Sequence, residues 1–229
     1  MPAQPSHKPL PPAEDRPGDT DTTDLRADAR RNRARILEAA REAFAGQGID
    51  VPLTAVARRA GVGTATLYRH FPTRATLVTA AFAQQLSICA TALETALDDP
   101  DPLHGLHTLL EKVCTMQATD RGFATAFMDR FPDALDYHQE SARAEDDLAR
   151  LIQHAKKTGQ LRDDIDPSDV TLLLLANSGL AGLPPDIALA ASRRLLAHFL
   201  RSAQTRHPGP LPPPAPVGLH RIQHAASRP

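Results

Sequence analysis

Residues 53–74 read LTAVARRAGVGTATLYRHFPTR, and this stretch decides the fold of the chain. Apolar residues recur at helical spacing over 53–60 and predict a short helix that ends at Gly61. A second short helix is expected over 64–70, because the Phe-Pro pair that follows disfavours further helix. Two short helices joined by a glycine turn indicate a helix-turn-helix motif.

The outward positions of the second helix are the ones that would meet a partner. Val62 and Leu67 are expected to pin this helix inward, which leaves Thr64, Ala65 and Arg69 facing outward. In DNA-binding proteins with this motif, the second helix enters the major groove. An ordinary helical hairpin also shows the pattern A-x-x-A-G, so the spacing alone leaves both interpretations open.

Charge is distributed unevenly along the chain, although the net charge is only −1. Residues 26–74 hold ten arginines against four acids, whereas residues 75–202 hold 11 basic and 18 acidic side chains. A positive block beside an acidic block indicates a module that meets a polyanion, joined to a body that does not. The alternative is an arginine-rich solvated surface.

The 229 residues, 41% of them apolar, are predicted to form an all-α protein. Alanine, leucine, arginine and glutamate dominate, and alternating β-branched runs are missing. Thirteen of the 21 prolines lie in residues 1–25 or 203–229, so both ends are predicted to be disordered. The predicted domains are a disordered extension over 1–28, a helix-turn-helix domain over 29–78, a helical effector-binding and dimerisation domain over 79–203 and a disordered tail over 204–229.

About nine helices are expected. The first is predicted over 30–46, with arginines 30, 31, 33 and 35 at its start, where the helix dipole favours acids; that mismatch favours DNA phosphates nearby. The fourth, over 74–97, is long enough to connect the two domains. The others are predicted over 53–60, 64–70, 102–118, 121–131, 135–158, 167–181 and 185–202.

The cysteines and the hydropathy of the chain indicate its cellular compartment. Cys89 and Cys114 form no CxxC pair, and the start of the chain shows no secretory pattern, which indicates a cytoplasmic protein. No apolar run reaches the roughly 20 residues needed to span a bilayer. No cofactor is predicted.

The run VARRAGVGTATLYRHFPTRATLV, residues 56–78, resembles the TetR family of bacterial transcriptional repressors, whose hallmark is an I/V-A-x-x-A-G-V-s-x-x-x-L-Y-x-H-F-x-x-K/R stretch. Residues 34–50, ARILEAAREAFAGQGID, are similar to the first helix of that family. The segment 159–174 is similar to part of the C-terminal domains called SbtR-like. The resemblance implies a homodimer that holds a palindromic DNA operator and is released by a small-molecule effector.

The resemblance also implies which residues contact DNA. The recognition helix would begin with residues 64–66, nearest the base edges, and Tyr68 and His70 would touch phosphates or sugars. Arg74 stands where the family usually has a lysine, a phosphate contact that either cation can make, and Arg69 can reach a phosphate or a guanine. The full set predicted to bind DNA is Arg33, Thr54, Thr64, Ala65, Thr66, Tyr68, Arg69, His70 and Arg74.

Two positions depart from the family pattern. Pro52 and Gly63 replace the serine or threonine caps that usually precede the two helices of the motif. Each replacement loses a side-chain oxygen that could hold a turn or meet a phosphate. Thr54 and backbone amides are expected to compensate.

In the family, helices four to seven enclose the effector pocket and the last two helices pair with a second subunit. The residues predicted to line the pocket, for most of which ordinary core packing is the alternative, are Leu86, Cys89, His107, Leu110, Cys114, Phe123, Phe127 and Met128. The residues that would form either core or dimer surface are Leu173, Leu174, Leu180, Leu183, Ala188, Ala191, Leu195 and Phe199.

Two other classes of function are weighed against this one. An all-α enzyme could use His104, His107 or the acids Asp163 and Asp164 for acid–base work, but no motif places a nucleophile, a base and an orienting group together. A helical adaptor would bind proteins and never DNA. A metal site built from the two histidines and Cys114 fits the helical spacing only weakly, so no metal is predicted.

Overall fold

Glycines, prolines and short polar runs divide the chain into helices. The structure, a computed structural model, describes residues 19–128, 135–204 and 210–215, with side chains over 26–128, 142–204 and 210–215. These residues are helical apart from turns and an isolated bridge between Leu161 and Gln204, which confirms the all-α prediction. The α-helices are α1 Asp19–Gln47, α2 Leu53–Ala60, α3 Thr64–His70, α4 Arg74–Leu97, α5 Pro102–Thr119, α6 Arg121–Met128, α7 Leu135–Lys157, α8 Pro167–Ser178 and α9 Pro185–Ala203, with a 3₁₀ turn Gly179–Gly182 between the last two.

Helix α1 is longer than predicted, since it begins at Asp19 and not near residue 30. No glycine or proline falls between residues 19 and 45, so nothing in the sequence interrupts a helix there. The prediction of disorder over 1–28 is therefore wrong for 19–28, while 1–18 lie outside the described residues. The arginines at 30–35 lie inside the helix and not at its start, so the inferred dipole mismatch was also wrong.

The first three helices pack around one small apolar core. Ile36 and Phe44 on α1, Val56 on α2 and Leu67 on α3 are all 0% exposed. Burying a side chain of this size stabilises the fold by about 1.5–3 kcal/mol relative to leaving it in water. Because the three helices share these contacts, the orientation of α3 is fixed by α1 and α2.

Helix α4 runs from the helix-turn-helix domain into the C-terminal domain. The Oγ1 of Thr73 accepts from the backbone N–H of Thr76 at 3.1 Å, and the Oγ1 of Thr76 accepts from the backbone N–H of Thr73 at 3.2 Å. This reciprocal cap fixes the start of the helix. By length and composition α4 could span a membrane, because one 18-residue window in it has a mean hydropathy of 1.4. No such segment was predicted from the apolar runs of the sequence. Helix α4 packs against α1, α5, α6 and α7, and 33% of that window is buried inside the protein.

Helix α5 is the centre of the C-terminal domain and contacts α4, α6, α7, α8 and α9. The carboxylate of Asp101 caps it by accepting from the N–H groups of Leu103 and His104, and Pro102 occupies the first turn. Asp166 caps α8 in the same way, and Pro167 follows it. Proline after an acidic cap therefore marks the start of both helices.

A row of aromatic rings joins the two domains. The ring centroids of Phe44 on α1 and Phe82 on α4 lie 6.1 Å apart, those of Phe82 and Phe123 on α6 lie 6.2 Å apart, and those of Phe123 and Phe127 lie 5.5 Å apart. Gly122 permits this approach, because a Cβ at that position would lie 2.8 Å from the backbone carbon of Phe44 and from Cζ of Phe82. A movement of α6 would therefore press directly on α1 and α4.

Part of the predicted disordered tail lies against the rest of the chain. The backbone N–H of Leu211 donates to the carboxylate of Asp164 at 2.8 Å. Arg162 donates to both oxygens of the same carboxylate, and these bonds hold the pKa of Asp164 well below its usual range. The prediction of disorder is thus not met at 210–215, while 205–209 and 216–229 lie outside the described residues.

Candidate nucleic-acid interface

The turn between α2 and α3 has the geometry that glycine favours. Gly61 adopts a left-handed φ of 64°, a region that residues with a Cβ rarely enter. Its N–H donates to the carbonyl of Arg58 at 3.1 Å, and the N–H of Val62 donates to that of Ala57 at 3.0 Å. These bonds close the end of α2 and position α3 three residues later, as the sequence predicted.

The two helices of the motif begin without the side-chain caps of the family pattern and keep only the first bonds to the cap carbonyls. Pro52 and Gly63 supply no side-chain cap. The carbonyl of Pro52 accepts from the N–H of Ala55 at 2.9 Å, and that of Gly63 accepts from the N–H of Leu67 at 3.1 Å. Thr54 does not hold the turn, because its exposed hydroxyl makes no hydrogen bond to another described residue, and its contact with a phosphate stays a prediction. That hydroxyl remains accessible at the start of α2.

The outward face of α3 is the one the sequence predicted. Thr64, Ala65 and Arg69 are exposed and Thr66 is half-buried. Tyr68 is 47% exposed, which excludes core packing as its role. The helix therefore presents small and hydrogen-bonding side chains at its start and an aromatic and a cation near its end, a combination suited to base edges and phosphates.

His70 and Arg33 flank the end of α3. The side chain of His70 is half-buried, and its Nε2 is buried without a hydrogen-bond partner among the described residues. A phosphate contact by this ring would therefore use Nδ1. The guanidinium of Arg33 is exposed and lies 5.3 Å from the ring centroid of Phe71, a cation–π contact that holds it beside α3.

Arg74 has a role that the sequence did not reveal. Its Nη1 donates to the carbonyls of Ile49 and Val51, the latter at 2.8 Å. These two bonds tie the start of α4 to the turn between α1 and α2. The predicted phosphate contact stays a prediction for the remaining nitrogens of this half-buried guanidinium.

Comparisons with known proteins agree with this geometry. A family model described as bacterial regulatory proteins, tetR family, matches residues 36–81, and one described as transcriptional regulator SbtR-like, C-terminal domain, matches residues 101–204. A TetR transcription regulatory protein from Mycobacterium vanbaalenii is 30% identical over 79% of this chain and 99% of its own, with a TM-score of 0.45. The chain belongs to the TetR family. This family consists of transcriptional regulators and is not an enzyme family.

Two further similar proteins match different shares of the chain. An HTH-type transcriptional regulator of Staphylococcus aureus (strain USA300) is 34% identical over 76 residues, 33% of this chain. That match spans only 41% of the relative. The ketosteroid transcriptional regulator KstR2 of Mycobacterium tuberculosis is 18% identical, with a TM-score of 0.59 over 76% of this chain and 95% of its own. The latter likeness is one of fold.

The residues predicted to line the TetR effector pocket divide into three groups. Cys89, Leu110, Cys114, Phe123 and Met128 are buried, and Leu86 and Phe127 are half-buried. His107 is exposed on the outer side of α5, so its assignment to an interior pocket was wrong. Burial raises the pKa of the Cys89 thiol to about 11 and that of Cys114 to about 12, which keeps both thiols neutral.

Two clefts formed by described residues lie away from that set. One of about 300 Å³ lies between α1 and α2, and one of about 100 Å³ lies between α4 and α5. None of the eight predicted pocket residues lines either cleft. The sequence also missed a buried polar cluster in this domain, made by Gln117, Asn177 and Ser192 with the carbonyl of Cys114.

The alternative chemistries find little geometric support in the described residues. The Nδ1 of His104 lies 2.7 Å from a carboxylate oxygen of Asp99 on the surface, and this bond raises the pKa of His104. Cys114 is buried, and no three metal-binding side chains cluster in the parts of the chain that the structure describes. Asp164 is engaged by Arg162, and Asp163 is exposed beside it.

Proposed function

We propose that this chain is a homodimeric transcriptional repressor of the cytoplasm, which binds a palindromic operator and releases it when a small-molecule effector enters the C-terminal domain. The observation that carries the proposal is the outward face of α3, where Thr64, Ala65, Tyr68 and Arg69 are exposed on a rigidly packed helix. A face of this composition has no use in a protein core. It suits the major groove, with small residues at the bases and larger ones at the backbone.

Charge around α3 supports a nucleic-acid partner. Two exposed arginines of residues 26–74 already have carboxylate partners: Arg31 pairs with Asp28, and Arg59 with Glu42 at 2.7 Å. The others leave a positive surface that would attract phosphates from a distance. The exposed arginines are Arg26, Arg30, Arg31, Arg33, Arg35, Arg58, Arg59 and Arg69.

Exposed apolar side chains support dimerisation through the last two helices. Leu172 on α8 is 41% exposed, Leu183 before α9 is 43% exposed and Ile187 on α9 is 51% exposed. Leu173, Leu174 and Ala188 instead belong to the core. Large exposed aliphatic residues grouped on adjacent elements mark protein interfaces. A second copy of the same surface would cover them and place two recognition helices on one face of a duplex.

The aromatic row supplies a route from effector to DNA. An effector that displaces α6 would shift Phe123, which touches Phe82 on α4, which in turn touches Phe44 on α1. Operator binding requires two recognition helices about one duplex turn, or ~34 Å, apart. A change in the tilt of α4 alters that separation, so the effector and the operator favour different conformations of the dimer.

Tyr68→Ala tests the proposal, with the DNA beside the protein's own gene as the ligand. Since Tyr68 is 47% exposed, the variant is expected to keep the thermal stability of the wild type. Its affinity for that duplex is expected to fall about tenfold, the equivalent of one good hydrogen bond or stacking contact of about 1.4 kcal/mol. Fluorescence anisotropy over a range of salt concentrations measures both the affinity and the number of phosphates contacted.

Tyr68→Phe is the matched control, because it keeps the ring and removes only the hydroxyl. An intermediate loss would assign part of the affinity to a bond from the hydroxyl to the backbone of DNA. Wild-type affinity in Tyr68→Ala, or binding that does not weaken with salt, would contradict the proposed interface.

A further inference from the structure

Two amide side chains lie fully buried in the C-terminal domain. Gln117 on α5 and Asn177 on α8 are each 0% exposed. The Nδ2 of Asn177 donates to the carbonyl of Cys114 at 3.0 Å and to the Oε1 of Gln117 at 3.0 Å. Ser192 on α9 donates to the same Cys114 carbonyl at 3.3 Å. Three helices thus meet at one buried polar cluster.

The orientation of both amides is fixed by these bonds. Turning the amide of Asn177 over would set its oxygen against the carbonyl of Cys114, and two acceptors repel. Turning that of Gln117 over would set two N–H donors against each other. The arrangement therefore leaves one specific donor, the Nε2 of Gln117, and one specific acceptor, the Oδ1 of Asn177.

Neither of these atoms has a hydrogen-bond partner among the described residues. A buried polar atom left unpaired destabilises a fold by about 1–3 kcal/mol, and most such atoms in proteins are paired. Leucine or methionine at either position would avoid that penalty. The free donor and the free acceptor belong to two amides that bond each other, so a group that carries both an acceptor and a donor is the complement of the pair.

The surroundings specify the chemistry of that group. The groups that bond the two amides are all neutral, and burial keeps the Cys114 thiol neutral as well. An ion buried beside them would lack a counter-charge, which is strongly unfavourable. A neutral group with an acceptor next to a donor fits both free atoms, and a carboxamide or lactam has that arrangement.

We propose that Gln117 and Asn177 form the polar end of the effector site and select a neutral effector bearing a carboxamide or lactam. This inference rests on the proposed function, since it assumes that the domain binds an effector. Gln117 lies one helical turn from Cys114, and α6 packs against both α5 and α8. A ligand bound at the amide pair would therefore act on α6, the helix whose aromatic rings reach α4 and α1.

Thermal unfolding of the full chain with four matched fragments tests the proposal. Benzamide, benzoate, benzylamine and toluene share a ring and differ in the group attached to it. At equal millimolar concentration, benzamide is expected to raise the Tm of the wild type, and the other three to raise it less or not at all. Gln117→Met removes the free donor with little change of volume and is expected to abolish the benzamide shift. Gln153→Met, at an exposed site on α7, is the matched control and is expected to keep it.

The outcomes separate this inference from the proposed function. Gln153→Met is expected to bind operator duplex with wild-type affinity, because Gln153 is exposed on α7 and belongs to neither proposed site. No benzamide shift in a wild-type protein that binds DNA would overturn the inference alone. An equal shift with toluene or benzoate, or a benzamide shift that survives Gln117→Met, would overturn it as well. Gln117→Leu serves as a second variant if Gln117→Met fails to fold.

Discussion

Ile187→Glu is expected to convert the protein into a monomer and to lower its affinity for an inverted-repeat duplex by about 100-fold or more. Ile187 is 51% exposed, and Leu183, four residues earlier and just before α9, is 43% exposed. If a second copy covers this surface, dimerisation of the variant buries an unpaired carboxylate, which costs several kcal/mol of binding free energy. Each 1.4 kcal/mol lowers the affinity about tenfold. A monomer reads only one half-site. Sedimentation equilibrium and fluorescence anisotropy measure the two effects.

Arg193→Glu is the matched control for that prediction. Arg193 is also exposed on α9. It lies six residues after Ile187, which places it about 120° around the helix from that residue. The control introduces the same carboxylate and is expected to remain a dimer. A dimeric Ile187→Glu variant with unchanged affinity would place the dimer interface elsewhere.

Gly122→Ala is expected to separate α6 from the helix-turn-helix domain. The added Cβ would lie 2.8 Å from the backbone carbon of Phe44 and 2.8 Å from Cζ of Phe82. A ring can turn aside, but the backbone of α1 can only move as a whole. Overpacking of this kind lowers the free energy of unfolding by about 1–3 kcal/mol. Thermal unfolding is expected to show a Tm lower by roughly 2–12 °C.

The same substitution is expected to mimic the effector. Since α6 would be pushed away from α1 and α4, affinity for operator duplex is expected to fall by about tenfold or more, the lower end of typical allosteric coupling. Gly179→Ala is the control, because a Cβ there meets no atom within 4 Å. Equal stability and equal DNA affinity in Gly122→Ala and Gly179→Ala would show that the aromatic row does not couple the domains.

Local signals account for most of what was predicted correctly. Helices end or begin through backbone effects that depend only on neighbouring residues. Helices end before Gly61 and near Pro72, one ends and the next begins within Asp98–Pro102, and one begins at the Asp166–Pro167 pair. The start of α1 was predicted too late, because the prolines that indicate disorder end at Pro17. The sequence from 19 to 28 contains no glycine or proline, although its threonines and aspartates favour a helix only weakly.

Contacts between distant residues could not be inferred in this way. Arg74 reaches carbonyls 23 and 25 residues away, so its place in the turn after α1 depends on how α1 and α4 meet. Asn177 and Gln117 are 60 residues apart, and nothing local in α8 or α5 indicates that they bond. His107 lies three and seven residues before Leu110 and Cys114, so helical spacing predicts all three on one side of α5. Leu110 and Cys114 are buried, but His107 is exposed to solvent.

The central claim is that α3 reads base pairs as half of a symmetric dimer, and selection of bound duplexes from a randomised library tests it most directly. The wild-type chain is predicted to enrich an inverted repeat whose half-site centres are about 10 base pairs, or a multiple of that, apart. Thr64→Asn is predicted to change the preferred base at two symmetry-related positions and to leave the spacing unchanged, since asparagine favours adenine. No enrichment, or the same preferred sequence from Thr64→Asn, would contradict the claim.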